Sequence, residues 1–177
     1  MHLDLQYPIG KWERVKNATD AQRGAFIDTI AAAPASLAAT VAGLTPAQLD
    51  TTYRPGGWTI RQVVHHLPDS HMNAYVRFKL AVTEETPTIK PYHEARWAEL
   101  EDAVHAEIAG SLALIEGLHG RWVRFLRSLE EAQFDRKFHH PDIGVVSLDW
   151  ALALYAWHGR HHVAHITSWR AGRGISG

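Results

Sequence analysis

Four stretches of about twenty residues repeat apolar side chains at spacings of three and four, and this rhythm limits the fold more than any other feature of the chain. The first runs from Asp20 to about Gly43, with Phe26, Ile30, Leu37 and Val41 on an alanine-rich helix capped by Thr19 and Asp20. Pro34 lies inside it and removes one backbone donor, so strain or a break is expected there. The second runs from Thr59 to about Thr83 through Ile60, Val63, Val64, Leu67, His71, Ala74, Tyr75 and Phe78, and Pro68 is expected to kink it or delay its start. The third spans Ser111 to Leu129, with Leu112, Ile115, Leu118, Trp122, Phe125 and Leu129 on one stripe. The fourth opens at Ser147, a natural N-cap, and continues to about Arg170, where Gly172 stops it. Helices of this length are about 30 Å long, and four of them with apolar faces specify an all-α, antiparallel four-helix bundle.

The segments between them read as connections. Residues 1–18 lack a sustained period and are expected to lie irregularly on the folded body. Thr45, Pro46 and Ala47 cap a short turn through Leu49, YRPGG at 53–57 is a loop, and EETPTIKPY at 84–92 leads to a helical piece from about Glu94. Residues 130–146 are less regular, and HHPDIG within them reads as a loop or short extended excursion. With 177 residues, 46% of them hydrophobic, one well-formed core is expected and a single domain over 1–177.

Composition narrows the chemistry. Eighteen basic side chains against 19 acidic ones give a net charge of -1, so no global field draws the chain to nucleic acid or to an anionic membrane. The start has neither a basic nor an apolar leader region, and no stretch approaches the run of apolar residues that spans a bilayer, so a soluble intracellular protein is expected. Cysteine is absent, which excludes disulfides, thiolate metal sites and cysteine nucleophiles. Any metal must therefore sit on nitrogen and oxygen, and the chain carries 13 histidines.

Four of these fall in WHGRHHVAHI on the fourth helix. Residues four apart lie one above the other, so either His158 with His162 or His161 with His165 can present two imidazoles to one ion. His158 and His162 share a face with Ala151, Leu154, Tyr155, Ile166 and Trp169, while His161 shares one with Trp150, Leu154, Trp157 and Ala164. Periodicity leans toward the first pair and leaves both open. A single histidine on an apolar stripe is more often a hydrogen-bonded core residue than a ligand. Four in eight residues differ, because each unpartnered imidazole costs free energy and a metal satisfies two or three together.

A third ligand must come from another helix. The second offers His65, His66 and His71, and His66 has Gln62, Asp69, Ser70 and Asn73 at helical spacing, a polar stripe consistent either with an internal pocket or with an ordinary solvated face. Three histidines with one open position describe a catalytic zinc geometry, although nitrogen ligands also suit nickel, iron and copper. Gly159 stands where the glutamate of an HExxH protease would be, so that protease class is excluded. Asp69, His119, His140, His161 and His165 are candidates for general acid or base, and none can be assigned from sequence. Arg121 reads as a surface charge. GRGISG at 172–177 fits a dinucleotide fingerprint without the strand and helix that fingerprint needs, and adjacent Asp69, Ser70 and His71 cannot form a triad.

The segments YPIG at 7–10, 53–92, LHGRW at 118–122, HPD at 140–142 and YAWHGRHHVAHIT at 155–167 resemble the DinB superfamily, more closely its YfiT branch, over nearly the whole chain. The resemblance implies a four-helix bundle and one divalent metal, zinc or nickel, held by His66, His158 and His162, with Pro68 a departure just after the first ligand. It also implies a cytoplasmic homodimer and a metal-dependent hydrolase acting on a small molecule. The alternatives are a thiol S-transferase that uses a low-molecular-weight thiol, and a non-catalytic metal-binding stress-response bundle.

Overall fold

Threonine followed three residues later by glutamine opens the first three helices of the computed structural model, which describes residues 4–175. In α1 (Asp20–Val41), α2 (Pro46–Leu49) and α3 (Ile60–Thr83), the threonine hydroxyl accepts from the glutamine amide and the glutamine side chain returns to the threonine N–H. Two orphan donors are satisfied at each start. The short turns α4 (Glu94–Trp97) and α5 (Glu101–Val104) follow, then α6 (Ala109–Arg127), a 3₁₀ turn (Glu131–Asp135), the strands β1 (Lys137–His140) and β2 (Gly144–Ser147), and α7 (Leu148–Ala171). Ser147 caps α7 by accepting from the Trp150 amide, as expected. Residues 1–3, at the head of the irregular segment, and 176–177, the end of the GRGISG run, lie outside the described residues.

The four long helices α1, α3, α6 and α7 form the expected bundle. α1 and α3 each pack against both α6 and α7. α1 and α3 thus take one pair of diagonal corners and α6 and α7 the other, an arrangement that periodicity alone does not reveal. Residues before α1 lie on α7, where Trp12 meets the face of Trp150 edge-on and the Gln6 carbonyl accepts from His165.

Several expectations are corrected. α1 runs unbroken through Pro34, and α3 starts at Ile60 and runs through Pro68 without delay. The loop or short extended excursion expected at HHPDIG is present, as the turn of an antiparallel hairpin that pairs Lys137 with Ser147 and His140 with Gly144, the glycine supplying a φ of +81° after the turn. By length and apolarity α1 is a helix that could cross a bilayer, contrary to the expectation that no stretch comes close. Its alanines account for this, and its large side chains Ile27, Ile30, Leu37 and Val41 are buried against the bundle.

The core divides into two apolar regions. One gathers Ile27, Ile30, Phe78, Trp122, Leu126 and Leu152; the other gathers Leu37, Val41, Val63, Leu67, Ile115 and Ile166. Along every long helix the step from one region to the other passes a special residue: Pro34 on α1, His71 on α3, His119 on α6, and His158 with His162 on α7. The site is built in that layer. At the far end of the first region, Arg23 of α1 makes a two-pronged buried pair with Asp149 of α7, at 2.8 and 2.9 Å. The Asp149 carboxylate holds the guanidinium above its ordinary pKa against the opposing effect of burial.

Candidate metal centre

His158 and His162 stand one turn apart on α7 and meet His66 from α3. The Nε2 atoms of His66 and His162 lie 3.3 and 3.2 Å from Nε2 of His158, and one ligand nitrogen from each ring falls within 4.8 Å of the other two. His66 and His162 are buried and His158 is half-buried. Burial pushes His66 down to about 4 and holds His158 and His162 well below their ordinary value, with the neighbouring imidazoles adding in the same direction. Neutral imidazoles with converging lone pairs are the form in which a metal takes nitrogen ligands. Nδ1 of His162 is buried without a hydrogen-bond partner, and Nε2 is the nitrogen turned toward the other two rings. The residues therefore fit one divalent ion. Among the described residues this is the group of three or more metal-ligating side chains found.

The triad opens on a cleft of about 480 Å³. Trp58 tilts over His66 with ring centroids 4.7 Å apart. Arg77, Tyr92, Glu94 and Tyr155 line the walls, and His140 and Asp142 come from the hairpin. Ser70 interacts with the hydroxyls of both Tyr92 and Tyr155, and Arg77 with that of Tyr155. Burial pushes Tyr92 up to about 12, so these phenols remain protonated donors. An adjoining cleft of about 380 Å³ is bordered by His161, His165, Tyr7, Tyr53 and Arg54, and shares His162 and Trp58 with the first.

The structure sorts the remaining candidates. His161 and His165 do not join the triad. His161 stacks on Trp157 at 4.2 Å, and His165 stacks on Tyr53 at 4.1 Å while its Nε2 donates to the Gln6 carbonyl. His65 is a satisfied core histidine, its Nδ1 2.7 Å from the Ser111 hydroxyl and its Nε2 donating to the Ala106 carbonyl. His119 is buried in the polar layer, where Nδ1 donates to the Ile30 carbonyl at 2.7 Å and Nε2 lies 2.8 Å from Nδ1 of His71. His71 Nε2 in turn lies 3.1 Å from Nδ1 of His158. Of the five acid-base candidates, His140 is the one lining the triad's cleft; burial, then the Arg77 charge, hold it below its ordinary value. Arg121 is exposed.

The polar stripe behind His66 is corrected. Gln62 is spent on the α3 cap and the Ala98 carbonyl, and Asn73 donates to the carbonyl of Asp69 on its own helix. Asp69 is pushed up to about 6 by burial and then by Asp102 of α5. Only Ser70 of that stripe lines the cleft, because α4 and α5 pack over the rest of the face. Sequence reasoning missed Trp58, Arg77 and Tyr92, which carry no spacing signal. It also missed the contact between His71 and His119, for which a signal existed: two histidines on facing apolar stripes each need a partner.

A sequence profile described as the DinB superfamily matches residues 29–166. A Bacillus subtilis protein named "Putative metal-dependent hydrolase YfiT" is 52% identical over 166 residues, covering 93% of each chain. A Bacillus mycoides protein with a metal-dependent hydrolase name of the same kind is 53% identical over 167 residues, covering 94% of this chain and 96% of its own. The solved structure of Bacillus subtilis YfiT, described as having an unusual four-helix bundle topology, superposes with a TM-score of 0.95 at 50% identity over 98% of this chain and 99% of that one. A second solved four-helix bundle, TT2238, shares the fold alone, with a TM-score of 0.57 at 18% identity over 82% of this chain and 98% of its own. The diagonal bundle, the histidine triad at its polar layer and the match over most of the sequence lead to one assignment: this chain belongs to the DinB superfamily.

Proposed function

We propose that the protein is a metal-dependent hydrolase of a small molecule, with one divalent ion, zinc before nickel, held by Nε2 of His66, His158 and His162. The convergence of these three neutral rings on one point beside an open cleft carries the reading. The metal-dependent hydrolase names of relatives above 50% identity support it. Bound there, such an ion supplies Lewis acidity that turns water into a nucleophile near neutral pH.

The chain's own residues supply the rest. Trp58 and Leu154 shield the triad from bulk water, which strengthens every electrostatic contact inside the cleft. Arg77 and the protonated hydroxyls of Tyr92 and Tyr155 offer donors for a polar substrate group. His140, neutral at pH 7, is the side chain placed to take up a proton in the cleft and return it. From superfamily membership the proposal extends to a cytoplasmic homodimer without a nucleic-acid or membrane partner, and sedimentation equilibrium tests the dimer.

Elemental analysis of untagged, dialysed protein tests the reading beside His66→Ala and His158→Ala. About one equivalent of metal in wild type and markedly less in both folded variants is expected. No metal in wild type after reconstitution with zinc or nickel overturns it. Substrate panels run with and without a low-molecular-weight thiol then separate the activities. Turnover that requires the thiol moves the assignment to S-transferase, and turnover that survives metal removal rules out both.

A further inference from the structure

Three imidazoles stand in a row in the polar layer, and a backbone carbonyl ends the row. His119 Nδ1 lies 2.7 Å from the Ile30 oxygen, His119 Nε2 lies 2.8 Å from His71 Nδ1, and His71 Nε2 lies 3.1 Å from His158 Nδ1. A carbonyl oxygen only accepts, so the proton in the first contact is on His119 Nδ1. A neutral imidazole has a single N–H, so His119 Nε2 accepts and the proton of the second contact is on His71 Nδ1. The same step places the third proton on Nδ1 of His158. His71 and His119 are 0% and 2% exposed, so a second proton on either ring would be a charge without solvent. The outcome at the end of the row is a bare lone pair on His158 Nε2, facing Nε2 of His66 and of His162.

The direction of the row begins with Pro34. In an uninterrupted α-helix the Ile30 carbonyl would accept from the N–H of residue 34. Proline has no N–H, so the helix leaves that oxygen for His119, 89 positions away in sequence. The residue expected to break α1 thus leaves free the acceptor that orients the imidazoles across the bundle. His162 has no such backing, since its Nδ1 is buried without a partner.

We propose that Pro34, His119 and His71 form a positioning relay that fixes the tautomer and ring plane of His158, presenting Nε2 to a divalent cation before the ion arrives. The purpose of the relay rests on the metal reading above, whereas the tautomer can be measured without metal. Long-range proton–nitrogen spectra of the metal-free, ¹⁵N-histidine-labelled protein report which nitrogen is protonated, with His158→Gln identifying the His158 signals. Wild type is expected to show His71, His119 and His158 all protonated at Nδ1. His119→Leu is expected to lose that preference at His71 and His158 and to bind zinc about 10–100-fold more weakly, read by competition with a chromophoric chelator. The amide of His119→Gln can donate to Ile30 and accept from His71, so this variant is expected to restore both readouts.

His158 protonated at Nε2, or divided evenly between its nitrogens, overturns the relay. So does a folded His119→Leu that binds zinc as tightly as wild type. If His119→Leu does not fold, the wild-type tautomer and the His119→Gln affinity decide the matter. A wild-type protein with the Nδ1 tautomers but no zinc binding would uphold the relay and overturn the metal reading.

Discussion

Mild acid should strip the metal-free protein of much of its stability, and the cost follows from the buried histidines. His66 is held at about 4 in the folded chain, chiefly by burial and then by His161, against about 6.5 when unfolded. The unfolded chain therefore binds more protons between these values, and stability rises with pH across the window from about 4 to about 6.5. At about pH 5.5 an unfolded imidazole is roughly nine-tenths protonated and the folded His66 is not, which costs about 1.4 kcal/mol. Burial acts in the same direction and further on His71, His158 and His162. Each of these rings adds to the loss from His66, and stabilities of whole domains are only about 5–15 kcal/mol. Urea unfolding followed by tryptophan fluorescence, with a chelator present, reads this directly. With a urea slope of about 1–3 kcal/mol per molar, His66 alone should lower the midpoint by about 0.4–1.2 M between about pH 7 and about pH 5.5, and the other three rings should lower it further. His66→Gln should recover the His66 share of that fall. A wild-type midpoint that does not fall between these pH values would refute the reasoning, because the rings could then not be neutral and buried together.

Other perturbations separate packing from electrostatics. Arg23→Met leaves the Asp149 carboxylate buried without its partner and should cost about 3–5 kcal/mol in chemical denaturation, most of which Arg23→Met with Asp149→Leu should recover. Trp122→Ala empties a fully buried site next to Phe78 and should cost about 3–5 kcal/mol by the same assay. Val145→Lys, on the exposed face of the hairpin, should change stability by no more than about 0.5 kcal/mol. Saturating zinc at about 100 times its dissociation constant should add about 2.7 kcal/mol to wild type and far less to His158→Ala.

Much of this structure is legible in the sequence wherever one helix settles the matter alone. Thr19, Thr45, Thr59 and Ser147 cap the helices they precede, and the apolar stripes place the bundle faces. Facts that depend on two helices at once were not legible. Pro34 looks like a break until His119 takes the carbonyl it frees. Gln62, Asp69 and Asn73 look like a pocket wall until α4 and α5 cover them. Spacing left two histidine pairs open on α7, and the choice appears only where His66 approaches from α3. HHPDIG carries a turn signal, but its hairpin register is fixed by strand pairing and by the bridge from Thr88 to His139.

Gly159 sets a boundary on how this scaffold can change. A Cβ there would lie 3.4 Å from the Ala33 methyl and 3.5 Å from Cε1 of His71, ordinary contact for one methyl group. Alanine is thus an accessible neighbour in sequence space and should even favour the helix by about 0.5–1 kcal/mol. Glutamate starts from the same two contacts, so its longer side chain has to pass the Ala33 methyl and the His71 ring. The two histidines one turn apart on α7 sit in the frame that proteases fill with a base between their ligands, yet the closeness of α1 narrows that mutational path. The hairpin and the 84–93 connection, which already line the cleft with His140, Asp142 and Tyr92, are the places where a descendant of this chain could gain a new proton acceptor with the helical interior undisturbed.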